Sequence, residues 1–410
     1  MSVRRNQLRL RTAIALGALA GVLAACEGEH PQSTFRPVTE YGLILDRLFD
    51  HTFWWTMPVL ALVWIVLLYV VFRYRDRPEA ATPRQIHGNA KLEVAWTIGP
   101  AIIVAAIAVP TIRTIFEVQP KPPADALKVE VIGHQWWWEF RYPEFGGITT
   151  ANELRIPTGR TIDLVMRSGD VIHSFWIPRL GGKRDVNPLP AKPGHPEHGA
   201  GRAHPNHIVF RADSTGVFFG QCAEYCGDSH AVMRVRAVVT SPAEFTGWVQ
   251  SMNATPAPAA GSLEAQGKQI FESRACVACH TVNGTNARGV LGPNLTNVGQ
   301  RLFIGDQDRL RTTPENIARW ITHPQEFKPG AKMPGTRLSG GGLPPTGLTD
   351  TEVQAVAAYL YSLGRTTPAV PAAPAGIAPA APGAAPVQPA PGAAPAPATT
   401  TGTTSTSGMK

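Results

Sequence analysis

The stretch Cys222-Ala-Glu-Tyr-Cys-Gly-Asp-Ser-His-Ala-Val-Met233 places four soft or borderline metal donors within twelve residues. The donors are Cys222, Cys226, His230 and Met233. Thiolate, imidazole and thioether together are the ligands that select copper in electron-transfer sites. A blue-copper ion needs one thiolate, so a second thiolate in the same loop indicates two metal ions bridged by two sulfurs. A disulfide or a pair of buried thiols is the alternative, but neither would need the histidine or the methionine.

The loop at residues 222–233, called the copper loop below, offers only one histidine for two metal ions. A second imidazole is available at His173, an isolated histidine in the apolar segment Val171-Ile-His-Ser-Phe-Trp176. Considered alone, a histidine in such a segment is typical of a hydrogen-bonded core residue. Because a distant strand usually completes metal sites of this kind, the ligand count favours His173 as a copper ligand.

The segment around the copper loop is predicted to be an all-β domain. Over residues 125–245, short β-rich runs alternate with Gly, Pro and Asp turns, which predicts a sandwich or a Greek-key barrel. Early in this domain lies Gly133-His-Gln-Trp-Trp-Trp138. In a strand, Trp136 and Trp138 would share one face and Trp137 would take the other. Three consecutive tryptophans cannot all be inside, so at least one is expected to be exposed or at an interface.

Two apolar segments, residues 53–72 and 97–116, are long enough to span a membrane and form a hairpin over residues 40–120. The loop between them has an excess of arginine and lysine, which places it in the cytoplasm and both ends of the hairpin in the periplasm. Two buried helices of a soluble protein are the alternative.

Glu93 stands at the cytoplasmic mouth of the second span. A carboxylate there either marks a proton or ion route or is an interfacial acid neutralised by the loop arginines.

Residues 1–26 are predicted to be an export signal, because a cluster of arginines precedes a short apolar run. The run ends in Leu23-Ala-Ala-Cys26, which resembles the bacterial lipobox and predicts lipidation of Cys26. An ordinary signal peptide with an incidental cysteine is the alternative. All five cysteines of the chain lie in motifs, so none is left for a structural disulfide.

A linker over residues 253–262 leads to Cys276-Val-Ala-Cys-His280. C-x-x-C-H is the attachment signature of c-type haem. In that reading, Cys276 and Cys279 form thioether links to the porphyrin, and His280 binds the iron.

The sixth iron ligand is predicted to be Met333, since methionine is the common partner and raises the haem potential. His323 is the alternative. Three predicted helices within residues 263–364 make this unit a small α-domain. Residues 365–410 consist largely of Pro, Ala, Thr and Gly, which predicts disorder.

The composition limits the possible partners. A chain of 410 residues allows two or three domains at about 150 residues each. The net charge of +8 is concentrated in the N-terminal arginines and in the loop between the apolar segments. The sequence has no basic patch with interleaved aromatics, which argues against a nucleic-acid partner. A histidine-rich connection at residues 181–207 is predicted to be a solvated loop.

A transmembrane hairpin, a β-barrel with this copper loop and a C-terminal c-type cytochrome resemble subunit II of bacterial cytochrome c oxidases, in the variety with a fused cytochrome c domain. The resemblance covers residues 40–364. It implies a multidomain membrane protein with a cupredoxin Greek-key barrel and an all-α class I cytochrome c domain. It also implies a dinuclear copper centre, CuA, bound by His173, Cys222, Cys226, His230, Met233 and the main-chain carbonyl of Glu224.

The same resemblance assigns roles to residues beyond the copper ligands. The Glu224 side chain would point toward a magnesium site shared with subunit I, and Asp185 matches a neighbouring acid of that site. Trp136 matches the aromatic residue at which electrons enter CuA. Glu93 matches the acid at the entrance of a proton-uptake channel.

The function that the resemblance implies is an electron relay in the bacterial inner membrane, with the copper and haem domains in the periplasm. Cytochrome c or a quinol-oxidising complex would reduce the haem, the haem would reduce CuA, and subunit I would reduce dioxygen and pump protons. Subunit III and the lipid bilayer are the other expected partners. A copper-delivery or thiol-redox protein is one alternative, and a stand-alone electron carrier is another.

Overall fold

In a computed structural model, two helices of membrane-spanning length precede a β-sandwich and a small helical domain. The structure describes residues 17, 21, 31–75, 85, 87–188, 205–253, 261–305 and 309–365. Cys26 with nearly all of the predicted export signal, most of the histidine-rich connection, most of the predicted linker and residues 366–410 lie outside the described residues.

Helix α1 (Glu40–Arg73) and helix α2 (Ala90–Glu117) contain the two predicted apolar spans. Each begins at a residue whose side chain accepts backbone N–H groups of the first turn, Thr39 for α1 and Asn89 for α2. Both helices are long and apolar enough to cross a membrane. Their apolar windows are not buried by other parts of the described chain, so these are not core helices of a soluble domain.

The start of α1 is fixed to the β-sandwich. The Thr39 hydroxyl donates a hydrogen bond to the carbonyl of Leu180 at 2.7 Å, and Thr39 is fully buried. The Tyr41 ring packs on Gly181, which has φ +134°. A Cβ at Gly181 would lie 2.2 Å from that ring, so this close approach requires glycine. The start of the hairpin therefore packs directly against the β-sandwich.

The β-sandwich has two five-stranded sheets in the described part of the chain, with orders β3-β2-β1-β5-β8 and β4-β10-β9-β6-β7. The pairs β1–β5 and β4–β10 are parallel, and the other described pairs are antiparallel. The sheets enclose one apolar core, as expected for an aligned sandwich. The all-β prediction is confirmed. The strands are β1 Leu127–His134, β2 Trp137–Tyr142, β3 Ile148–Ala151, β4 Glu153–Pro157, β5 Thr161–Ser168, β6 His173–Trp176, β7 Arg184–Val186, β8 Asn206–Arg211, β9 Gly216–Cys222 and β10 Arg234–Thr240.

The tryptophan cluster differs from its prediction in one respect. Trp136 lies in the turn between β1 and β2 and not in a strand, because the chain reverses at residues 135–136. Trp138 is fully buried in the core, and Trp137 is half-buried with its ring stacked on His134 at 4.3 Å. Trp136 therefore sits at the tip of a hairpin, where it can contact another domain.

The helical domain is built on two crossing helices. Helix α4 (Leu263–Ser273) packs against helix α8 (Asp350–Ser362), and a Cβ at Gly267 would lie 1.9 Å from the carbonyl oxygen of Ala355. The rings of Phe271 and Tyr359 meet in the core at 5.9 Å. The prediction of a small α-domain is confirmed. After the sandwich come α3 Pro242–Asn253, α4 Leu263–Ser273, α5 Cys276–Cys279, α6 Pro314–Thr322, α7 Pro324–Phe327 and α8 Asp350–Ser362.

Candidate metal and haem centres

The donors predicted from the copper loop converge at one end of the sandwich. The sulfurs of Cys222 and Cys226 lie 3.8 Å apart. Nδ1 of His173, on the first residue of β6, lies 3.9 Å from the Cys222 sulfur. Nδ1 of His230 and the Met233 sulfur lie 3.6 Å and 3.8 Å from the Cys226 sulfur. The fold thus brings the distant histidine to the loop.

A main-chain carbonyl oxygen also lies close to one of the cysteine sulfurs. The carbonyl oxygen of Glu224 lies 3.2 Å from the Cys222 sulfur, while the Glu224 side chain is exposed. The two buried sulfurs are too far apart for a disulfide, whose S–S bond is about 2.05 Å. Two thiols, two imidazoles, a thioether and a carbonyl fit a copper site and suit neither magnesium nor calcium. The donor set therefore fits the predicted dicopper centre.

The pKa values of the two thiols are shifted in opposite directions. The hydrogen bond from Cys226 lowers the pKa of Cys222 to about 3, and the contact with His173 adds to this effect. The same bond raises the pKa of Cys226, which keeps its proton. Metal binding would release the remaining proton, because copper binds the deprotonated sulfur.

Asp170 orients the distant histidine, and sequence reasoning missed this residue. Its carboxylate lies 2.8 Å from Nε2 of His173 and accepts the backbone N–H groups of Gln135 and Val171, both at 2.7 Å. A carboxylate on the outer nitrogen of an imidazole fixes the tautomer and ring direction of a metal ligand. Burial raises the pKa of Asp170, but these hydrogen bonds outweigh it and leave the pKa lowered. An aspartate three residues before the histidine is the signal that could have identified it.

The haem motif occupies the short helix α5 and the residue after it. The thiols of Cys276 and Cys279 are half-buried and free. Nδ1 of His280 lies 2.8 Å from the carbonyl oxygen of Pro293. Because burial lowers the pKa of His280, the neutral imidazole donates from Nδ1 and keeps a lone pair on Nε2 that a metal could accept. A Cβ at Gly292 would lie 2.6 Å from the imidazole, so the loop that carries Pro293 also packs directly on the ring.

The two candidates for the sixth iron ligand differ in burial. Met333 is half-buried and packs on the same core as Cys276. His323 is exposed at the end of α6. The loops that carry His280 and Met333 also expose large apolar side chains, with Leu291 at 73% and Leu338 at 57%. A porphyrin between these loops would cover such side chains, so the residues present fit a haem.

Comparisons with known proteins agree with this geometry. Family models match residues 40–114 (Cytochrome C oxidase subunit II, transmembrane domain), 148–240 (Cytochrome C oxidase subunit II, periplasmic domain) and 264–364 (Cytochrome c). A cytochrome c oxidase subunit 2 of Alkalihalophilus pseudofirmus is 34% identical over 358 residues, which covers 85% of this chain and 95% of the relative. This chain belongs to the cytochrome c oxidase subunit 2 family. The Bacillus subtilis relative is 32% identical over 372 residues.

Among solved structures, the periplasmic domain of subunit II of cytochrome oxidase of Bradyrhizobium japonicum is 31% identical to this chain. The match covers 32% of this chain and 95% of the solved domain, with a TM-score of 0.27.

Membership of the cytochrome c oxidase subunit 2 family confirms the resemblance found in the sequence. The chain is a membrane-anchored subunit of an oxidoreductase, and its two matched extramembrane domains imply copper and haem. A copper-delivery protein and a stand-alone carrier are therefore excluded.

The remaining predicted site residues lie at the ends of structural elements. Asp185 is exposed on β7 and pairs with Ser174, which adjoins His173. Since β6 lies between β7 and β9, Asp185 and the residues after Cys222 flank the strand of His173. Glu93 is exposed in the first turn of α2, where its carboxylate accepts the Asn89 N–H at 3.2 Å.

Proposed function

We propose that this chain carries electrons one at a time from a covalent c-type haem to a dinuclear CuA centre, and then to the dioxygen-reducing site of subunit I. The observation that carries the proposal is the convergence of His173, both loop cysteines, His230 and Met233 within 3.9 Å of a neighbouring donor. Cys222 and Cys226 would bridge the two copper ions, and the Glu224 carbonyl would complete the ligand set.

The protein supplies a dry and rigid setting for the copper ions. Both cysteines are 3% exposed, and His173 and Met233 are fully buried, so water is largely excluded. Asp170 holds the His173 ring, and a Cβ at Gly133 would collide with that ring at 2.7 Å. Copper held by these residues would supply one-electron transfer.

The helical domain would hold its haem by four residues. Cys276 and Cys279 would make the thioether links, His280 would bind iron through Nε2, and Met333 would bind on the other side. The Pro293 carbonyl would keep His280 in the required tautomer, since it accepts the Nδ1 proton. A methionine ligand would give the haem a raised potential.

The hairpin would place the chain beside its partners. We infer that residues 74–89 face the cytoplasm, because arginine and lysine exceed acids there, and that both cofactor domains face the periplasm. Subunits I and III would pack on α1 and α2. Glu93 would stand at a proton-uptake route that serves pumping in subunit I. Glu224 and Asp185 would approach a magnesium ion shared with subunit I. Cytochrome c or a quinol-oxidising complex would be the donor.

The order in which the centres are reduced tests the relay. Purified oxidase, with the dioxygen site blocked by cyanide, is mixed anaerobically with a substoichiometric amount of reduced cytochrome c. The c-haem band should appear first and should then decay as the near-infrared copper band bleaches. A haem band that persists while the copper band stays unchanged would contradict the proposal.

A further inference from the structure

A short loop of the helical domain, called the docking loop (residues 328–330), lies on the tip of the β1–β2 hairpin. Nζ of Lys328 donates a hydrogen bond to the carbonyl oxygen of Trp136 at 2.6 Å. The Ser229 hydroxyl, in the copper loop, donates to the carbonyl oxygen of Pro329 at 2.5 Å. A Cβ at Gly330 would lie 2.7 Å from the Trp136 ring, so the backbone meets the indole directly.

Trp136 is in turn hydrogen-bonded to the copper loop. Its indole Nε1 donates to the carbonyl oxygen of Cys226 at 2.8 Å, and the Gln135 amide donates to the same oxygen at 2.9 Å. The indole therefore touches a copper ligand on one side and the docking loop on the other. Met333 follows Gly330 by three residues, so the loop that would bind iron continues from the loop that contacts the indole. The contacts form a continuous bridge between the two centres.

Lys328 is unusual among the lysines because it is only 5% exposed. An ammonium group is rarely buried unless it has hydrogen-bond partners, since burial removes its hydration. The position of Lys328 thus reflects a specific contact. Two acidic side chains, Asp170 and Asp228, contact neighbours of Lys328 and Trp136. Asp170 accepts the N–H of Gln135, and a Cβ at Gly330 would lie 3.1 Å from the Asp228 carboxylate.

A second contact joins the same two domains away from Trp136. The Glu153 carboxylate accepts the backbone N–H groups of Leu302 and Phe303 at 2.5 Å and 3.2 Å. The Arg236 guanidinium lies 3.8 Å above the Phe303 ring. We expect this contact to hold the domains together when the docking loop is altered. Lys328 can therefore be changed without separating the domains.

We propose that Lys328 is a positioning residue for electron transfer between the domains, because it clamps the docking loop and the following Met333 segment onto Trp136. The inference rests on the proposed function. One electron passes from the haem domain to the copper domain, so the haem iron is oxidised and the copper centre is reduced. No covalent bond forms or breaks, and no proton moves.

The test compares Lys328→Met with Lys332→Met in the assembled oxidase. Lys332 is an exposed lysine four residues further on, so its variant loses the same charge without the buried contact. Hydrogen exchange of residues 135–137 and 228–230 should become about tenfold faster in Lys328→Met, the factor expected from losing one hydrogen bond to a charged group. Exchange at residues 302–303 should stay unchanged. Lys332→Met should match the wild type throughout.

The second measurement is the rate at which the copper band bleaches after the haem is reduced. We expect this rate to fall about tenfold in Lys328→Met, while haem and copper spectra stay as in the wild type. Lys328→Arg should recover most of the rate. Gly330→Ala, which adds a methyl group against the indole at a residue with φ +75°, should slow transfer without any change in charge.

The outcomes separate the two proposals. If wild-type oxidase shows no haem-to-copper transfer, the proposed function is wrong. If the wild type transfers electrons, and Lys328→Met matches Lys332→Met in both exchange and rate, only the positioning role of Lys328 is wrong.

Discussion

The copper and haem regions reach their functional states in different ways. In the copper region, every predicted ligand side chain except His230 is buried, and one sheet and the copper loop carry them. In the haem region, Cys276, Cys279 and Met333 are half-buried, and Val290 and Leu291 are more than two-thirds exposed at 79% and 73%. The β-sandwich builds its site from its own core, whereas the helical domain has an apolar face that its cofactor would complete.

The largest expected effect is on folding of the helical domain without haem. The double variant Cys276→Ala/Cys279→Ala cannot attach the haem, so the apolar side chains that the haem would cover stay exposed. Because burial of each large apolar side chain contributes about 1.5–3 kcal/mol, we expect the domain to be destabilised by about 5 kcal/mol. Hydrogen exchange over residues 263–364 measures the loss. In contrast, Cys222→Ser/Cys226→Ser should abolish copper binding and leave the sandwich core protected. An equal loss of protection from hydrogen exchange in both domains would contradict the proposed difference between the copper and haem regions.

Met333, the proposed sixth ligand of the haem iron, gives the next largest effect. Met333→Ala should convert the haem to a high-spin form or to one with another ligand, because the strong-field thioether is lost. Optical and magnetic spectra of the reduced and oxidised oxidase measure this change. His323→Ala should leave both spectra unchanged, since His323 is exposed. A spectral change in His323→Ala alone would reassign the ligand.

Asp170 should have a smaller effect, confined to the copper region. Asp170→Asn should weaken copper binding about 10–100-fold, the usual cost of losing the partner of a metal-bound imidazole. Copper titration of the metal-free oxidase measures it. Asp163→Asn is the matched control, because Asp163 also lies 2.8 Å from a histidine, His207, and is more deeply buried than Asp170. Equal weakening in the two variants would show a general loss of stability and no role for Asp170 at the metal.

The smallest effect concerns stability of the sandwich in acid. Burial raises the pKa of Glu139, but hydrogen bonds from His134 and Arg141 outweigh it and leave the pKa below its ordinary value of 4.5. The carboxylate therefore stabilises the fold above pH 4.5, and this contribution is lost as pH falls through the lowered pKa. Near neutral pH, Glu139→Gln should cost about 1.5 kcal/mol.

Thermal unfolding at a series of pH values checks this prediction. The difference between wild type and Glu139→Gln should shrink as pH falls below 4.5. Glu144→Gln, which alters a partly exposed ion pair with Arg160, should unfold like the wild type at every pH. A difference that does not change with pH would show that the charge of Glu139 is irrelevant.

The sequence predicted the parts of both regions that depend on local spacing. C-x-x-C-H and the copper loop predict haem and copper ligands from a few neighbouring residues, and apolar length predicts α1 and α2. His173 could also be predicted, because the loop has only one imidazole, that of His230, for two metal ions. Pro293 and Lys328 could not, since each acts through a long-range contact of the folded chain. Trp136 was expected in a strand, but its place in a turn depends on the register of β1 and β2.

The most direct test of the account is the magnetic spectrum of the oxidised copper centre in purified oxidase. We predict the hyperfine pattern of one electron shared by two equivalent copper nuclei, together with a near-infrared band and a c-type haem spectrum. Cys222→Ser and Cys226→Ser should each abolish the shared pattern. The pattern of a single copper nucleus, or a disulfide between Cys222 and Cys226 with no copper signal from this chain, would contradict the account.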